Sequence, residues 1–213
     1  MIQKLIHQLW IGPRPLPAFT QSWRLCAFKN DWEYRLWREK DIDDLNLKWR
    51  ACYDAAPMFQ IKSDIARIEI LSRFGGFYVD CDFVSSGLCL SQFVPLETTR
   101  LVVTPEHQPN YRYQKEFRKL LPFFDDSCYM GLFVCSGFLA ASLDSRTIAR
   151  AQSSIGAAYE QCGPEVSGSG FGPNVVNASI CEPIVLIPNA YTTHFPARDF
   201  PHISHVAPYE DGQ

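Results

Sequence analysis

The chain has 213 residues, 46% of them hydrophobic and 20% charged, with a net charge of −3; this is a globular composition with a sizeable core and no basic footprint for nucleic acid. Its longest apolar runs fall far short of a membrane span, and Met1 to His7 reads as a first strand, not a signal peptide. Eight cysteines are scattered without a C-x-x-C pair, which argues for reduced, mostly buried thiols and a cytoplasmic location, and against a disulfide scaffold or a zinc site.

Lys4 to Ile11 is a short apolar run closed by Gly12-Pro13 and predicts a buried strand. Pro17 opens a helix to about Asn30, Trp32 to Trp37 alternates as a second strand, and Asp41 to Cys52 reads as a helix with acidic residues in its first turn. Gln60 to Phe74 is a further helix stopped by Gly75, and Phe77 to Asp82 a strand. Leu101 to Val103 and Leu132 to Ala140 are strands, Asp144 is the expected N-cap of a helix to about Gln161, and Pro183 to Pro188 is a last short strand. Ser167 to Pro173 is a flexible segment too short for an interdomain linker. Strands alternating with helices predict a single α/β domain over residues 1–213, with a mostly parallel central sheet flanked by helices. The polar run Pro208 to Gln213 reads as a frayed tail or the start of a linker into a further domain.

The helix before Gly75 carries the first chemical signal. At about 100° per residue, Ile61, Ile65, Ile68, Ile70, Leu71 and Phe74 share one broad sector, while Lys62, Glu69 and Arg73 fall on the side expected to face solvent. Asp64 and Arg67 lie inside the apolar sector. Burying either alone costs several kcal/mol, so they must pair or border a cleft. A carboxylate acceptor and a guanidinium fork in a pocket would suit ligand hydroxyls.

Asp80 and Asp82 follow an apolar strand at i, i+2 spacing, which puts both carboxylates on one side of an extended chain. Carboxylates at the carboxyl edge of an α/β sheet suit a hard divalent cation, Mn²⁺ or Mg²⁺, and a ligand phosphate. Cys81 belongs to the same binding segment but points the other way, into the core. Asp125-Asp126 form a second pair that could meet acceptor hydroxyls or be a solvated turn, whereas Asp43-Asp44 need no function at the start of a helix. His7 reads as structural.

Ser63-Asp64-x-x-Arg67 followed by Gly75-Gly76-Phe77-Tyr78-Val79-Asp80-x-Asp82 resembles the signature of the D-x-D sugar-transferase family, which includes yeast-type mannosyltransferases, capsular sugar transferases and clostridial glucosylating toxins. His7 to Gly12 resembles the family's opening strand, and the likeness extends to glycosyltransferases of large algal viruses, whose setting would be the host cytoplasm. The resemblance implies a GT-A-like nucleotide-sugar-binding fold, a nucleotide-sugar donor with UDP favoured, a glycan or other hydroxyl acceptor, on a glycoprotein among other carriers, and a divalent metal, usually Mn²⁺. By the same resemblance Asp80 and Asp82 would bind the metal, Asp64 and Arg67 the donor sugar, and Tyr78 with Leu9 and Trp10 the nucleoside. Ser136 stands where the family often has Asn, and Gly170 to Pro173 resembles a degraded Thr-Gly-Pro loop. A far histidine often completes the metal site in related transferases; of His194, His202 and His205, the last has the fitting spacing, although the Trp that usually follows is absent. Retention of configuration is implied, with Asp125 or Asp126 as the base if configuration inverts. A metal-dependent nucleotidyltransferase or phosphohydrolase, and a non-catalytic nucleotide-sugar-binding module, are the competing readings of the same carboxylates.

Overall fold

In the computed structural model, which describes residues 1–18, 20–87, 90–92, 94–105, 134–162, 172–187 and 192–194, the chain opens on β1 (Leu5–Leu9) and crosses α1 (Thr20–Lys29) to β2 (Glu33–Trp37). The two strands are parallel and in register from Leu5 opposite Glu33 to Leu9 opposite Trp37. α1 begins three residues after Pro17, whose carbonyl accepts a hydrogen bond from the Thr20 hydroxyl at 2.8 Å.

The single helix expected from Asp41 to Cys52 is two, α2 (Glu39–Asp44) and α3 (Arg50–Ala55). Between them Asn46 takes a left-handed φ of 48°, and Leu45 and Leu47 on either side turn inward into the core. Burying both leucines outweighs continuing the helix, and asparagine tolerates that conformation better than most residues.

α4 (Phe59–Phe74) is capped by Gly75 and feeds β3 (Gly76–Val79). The glycine pair is required here, with φ of 61° at Gly75 and 85° at Gly76; a Cβ on Gly76 would also lie 2.5 Å from the Leu5 carbonyl oxygen on the neighbouring strand. After a turn come β4 (Phe83–Ser85) and, further on, β5 (Leu101–Pro105), β6 (Val134–Ala141), α5 (Arg146–Cys162), α6 (Pro173–Ser179), β7 (Ile184–Leu186) and β8 (Thr192–His194).

The main sheet runs β2-β1-β3-β6-β5-β7. Its β2-β1, β1-β3 and β5-β7 ladders are parallel, and β6 alone opposes its two neighbours. The sheet is therefore mostly parallel, as expected, and the fold class is α/β with helices on both faces. Tyr78, Leu139, Leu101 and Val103 point into the layer under α4, α5 and α6, whereas Phe77, Val79, Phe138 and Val102 point toward α1. β4 and β8 form a separate antiparallel ribbon, tied to α1 by the Trp23 indole donating to the Phe83 carbonyl at 3.0 Å.

Two expectations on helix faces change. Glu69 is fully buried; its carboxylate accepts the Lys48 amide at 3.1 Å and the Gln152 side chain at 2.9 Å, because α5 and the chain before α3 cover the face of α4 that periodicity had left to solvent. The N-cap of α5 is Ser145, not Asp144. Ser145 Oγ accepts the Ile148 amide, and the buried Glu182 carboxylate takes the amides of Arg146 and Thr147 and the Ser145 hydroxyl, while exposed Asp144 pairs with Arg100. Cys26, Cys52, Cys81, Cys135 and Cys181 are free thiols. Among the described residues no helix is long and apolar enough to cross a membrane.

Candidate donor and metal site

β3 ends at Val79, and Asp80 opens a turn in which its carbonyl accepts the Phe83 amide at 3.2 Å. Asp80 and Asp82 therefore sit in a turn past the strand end and not on one face of a continuing strand. Cys81 between them turns inward and donates to the Leu9 carbonyl at 3.3 Å. The turn is anchored from two sides: the Asp80 amide donates to the Gly137 carbonyl at 2.7 Å, and the buried Gln8 side chain donates to the Asp80 carbonyl at 3.3 Å while accepting the Tyr34 hydroxyl at 2.9 Å. A glutamine inside an otherwise apolar buried strand was the signal available in the sequence for this role.

The two inward charges of α4 meet this turn. Arg67 Nη2 lies 2.9 and 3.2 Å from the two Asp80 carboxylate oxygens and 3.2 Å from Asp64, and Nη1 donates to Ser136 Oγ at 2.6 Å. The guanidinium stacks over the Tyr78 ring, 4.9 Å from its centroid. Burial alone would make the guanidinium less basic; Asp80 and Asp64 outweigh it and hold Arg67 above its ordinary range. Asp64 is pushed up to about 7, chiefly by burial and further by Asp80, against the pull of Arg67.

Glycine clears the space around both carboxylates. A Cβ on Gly137 would lie 2.6 Å from Asp80 Oδ2, and one on Gly172 would lie 2.4 Å from Asp64 Oδ1. Neither clearance is visible without the tertiary approach of β6 and of the residue before α6.

The remaining candidates fall as follows. Trp10 is half-exposed past the end of β1, its indole donating to the Arg14 carbonyl at 2.8 Å, whereas Leu9 is part of the core. Tyr78 is fully buried beneath Arg67, and its hydroxyl has no hydrogen-bond partner among the described residues. His7 is buried: its Nδ1 accepts the Trp37 indole N–H at 3.0 Å, so the ring proton sits on Nε2 and is donated to the Gly75 carbonyl at 2.9 Å. His194 lies on β8, where its backbone pairs with Phe83. Asp125, Asp126, His202 and His205 lie outside the described residues.

The donor set suits a hard divalent ion. Asp80, with its side chain 32% exposed, and half-buried Asp82 offer carboxylate oxygens from one turn, and Mg²⁺-type ions are commonly held by one or two carboxylates with substrate phosphates and water completing the shell. Among the described residues no three His, Cys, Asp or Glu side chains gather into a cage. An open cleft of about 720 Å³ lies at the opposite edge of the sheet, between Met1–Leu5 and Val94–Thr98, away from these charges.

Residues 18–92 match the family described as glycosyltransferase sugar-binding region containing DXD motif. An uncharacterized glycosyltransferase of Acanthamoeba polyphaga mimivirus is 32% identical over 39% of this chain and 37% of its own length. Inositol phosphoceramide mannosyltransferase 1 of Schizosaccharomyces pombe is 27% identical over 51% of this chain and 35% of its own. The chain thus spans well under half the length of the curated relatives it matches. Among solved structures the PaToxG glycosyltransferase superposes with a TM-score of 0.52 at 16% identity, over 84% of this chain and 68% of that one, which shows a shared fold. In motif, sequence and GT-A-like fold, this chain is similar to the DXD-containing glycosyltransferases, and the matched stretch holds every member of the Asp64–Arg67–Asp80 cluster except Ser136.

Proposed function

We propose that the chain transfers a sugar from a nucleotide-sugar, with UDP the favoured carrier, to a hydroxyl of a glycan or other acceptor, with Mn²⁺ or Mg²⁺ as cofactor and retention of configuration. The observation that carries this reading is the meeting of Asp64, Arg67, Asp80 and Ser136 at the carboxyl edge of a mostly parallel sheet, where such folds take their ligands.

Asp80 and Asp82 are the metal ligands in this reading, with His205 the candidate third. When bound, the cation supplies Lewis-acid stabilisation of the leaving diphosphate. Asp64 accepts a donor-sugar hydroxyl, and Arg67 orients that carboxylate and donates to the sugar or the phosphate oxygens. Because Arg67 is held on three sides, its charge is in position before the reaction and needs no rearrangement as the leaving group develops charge. The C1–phosphate oxygen bond breaks, C1 bonds to the acceptor oxygen, and the acceptor proton passes to the departing diphosphate. In this reading Trp10, half-exposed past the end of β1, lines the nucleoside pocket. The viral relatives fit a host-cytoplasmic setting.

Calorimetry with UDP, GDP and their sugars, with and without Mn²⁺, tests this. Metal-dependent binding of one nucleotide series is expected, with loss of at least roughly tenfold in Asp82→Ala at unchanged melting temperature. Metal-independent binding, or an Asp82→Ala variant that binds donor as well as the native chain does, would refute the transferase reading.

A further inference from the structure

We infer that Arg67 is a resident counter-cation on the metal-binding carboxylate, so that a divalent ion enters this site together with the donor's diphosphate and not ahead of it. The inference rests on the transferase reading and concerns the order and coupling of binding within that site.

One guanidinium nitrogen spans both oxygens of Asp80, at 2.9 and 3.2 Å. It has nowhere to retreat. The other terminal nitrogen is held by Ser136 at 2.6 Å, Asp64 is 3.2 Å away, Tyr78 lies beneath, and the Arg67 side chain is only 5% exposed on a helix buried along most of its length. The Asp80 main chain is fixed as well, by the Gly137 carbonyl on one side and the Gln8 side chain on the other, with its own side chain 32% exposed toward solvent.

A cation approaching Asp80 from its exposed side therefore meets a carboxylate whose charge is already balanced, with a positive group immediately behind it. In a poorly solvated setting that repulsion is large compared with an exposed pair. A diphosphate changes the balance, since its negative charge faces both the incoming cation and the exposed side of the cluster. Metal and diphosphate then each raise the other's affinity, and by linkage the factor is the same in both directions.

The probe is Mn²⁺ alone, read from the free-ion electron paramagnetic resonance signal, followed by Mn²⁺ with whichever of UDP or GDP the calorimetric screen selects. Arg67→Gln is expected to bind Mn²⁺ alone roughly tenfold more tightly than the native chain, yet to bind the nucleotide-sugar more weakly. Arg67→Lys, which keeps the charge, stays close to native for Mn²⁺ alone. Arg73→Gln, an exposed arginine on the same helix, leaves Mn²⁺ binding unchanged. If Arg67→Gln binds Mn²⁺ alone no more tightly than native, the inference is overturned even where nucleotide binding is metal-dependent. Should that variant fail to fold, the native chain decides: its Mn²⁺ affinity must rise by roughly tenfold with the nucleotide bound, and equal affinities overturn the inference. No metal-dependent nucleotide binding of any kind would overturn the transferase reading along with it.

Discussion

Asp64 sits at 5% exposure between Arg67 and the backbone of Gly172, and its titration is felt in the stability of the whole chain. Its value of about 7 in the fold stands above the ordinary 3.8, so the folded chain binds that proton more tightly than the unfolded chain does. Stability from this group falls as pH rises from about 4 to 7. His7 acts in the opposite sense. Burial lowers it from 6.5 to about 4, so its contribution is present above about 6.5 and is lost as pH falls toward 4. Urea unfolding across this range should show Asp64→Asn removing the decline and leaving the rise due to His7; an unchanged slope would place the titration elsewhere. Gly137→Ala tests the clearance behind Asp80. A Cβ there meets Asp80 Oδ2 and, at 2.9 Å, the Phe83 ring, so metal-dependent nucleotide binding should drop on the order of tenfold to a hundredfold, with a stability cost of about 1–3 kcal/mol. The convergence of Asp64, Arg67 and Asp80 was legible because a charge inside an apolar helical sector has few places to go. Gln8, Gly137 and Gly172 were not assigned roles there, because their work is done against residues from other strands and loops. The i, i+2 reading of Asp80 and Asp82 gave way because the strand ends at Val79, three residues short of Asp82, where the Asp80 carbonyl turns to accept the Phe83 amide.

Helix ends show where local pattern is overruled by distant chain. The first turn of α5 is satisfied by Ser145 and by Glu182, which arrives from beyond α6. Glu182→Ala should therefore cost about 1–3 kcal/mol in urea unfolding, while Asp144→Ala, whose partner Arg100 is exposed, should leave the unfolding midpoint unchanged. Equal costs would mean that the cap is local after all. Glu69 and Asn46 teach the same point. The polar face of α4 is covered by α5, and the expected helix after Asp41 breaks at Asn46 so that Leu45 and Leu47 can both be buried. Periodicity finds helices well, but it cannot see which neighbour will cover a face. The strands that read best, β1, β3 and β5, are those with near-continuous apolar runs; β4 and β8 are too short, at three residues each, to stand out.

Across the molecule the sheet is deeply buried at β3, β6 and β5, where Phe77, Tyr78, Val79, Phe138, Leu139 and Val102 are wholly inaccessible. Hydrogen exchange should find the slowest amides there, with β4 and β8 exchanging markedly faster because they pair only with each other; uniform protection across both sheets would contradict this. The alternation of strands and helices was enough to read an α/β class and a mostly parallel sheet. The reversal of β6 was not, since strand direction leaves no trace in periodicity.

That reversal has a geometric consequence for the candidate site. Because β6 opposes β5, the chain leaves the sheet at Pro105 and returns at Val134 on the paired rung, beside Ser136 and Gly137 and on the same rim as Asp80. Pro105 and Val134 are thus both fixed on the rim of the candidate site by strand register. They meet across one rung beside Ser136 and Gly137, so the spacing of this rim is set by the ladder between β5 and β6 and is as rigid as the sheet itself.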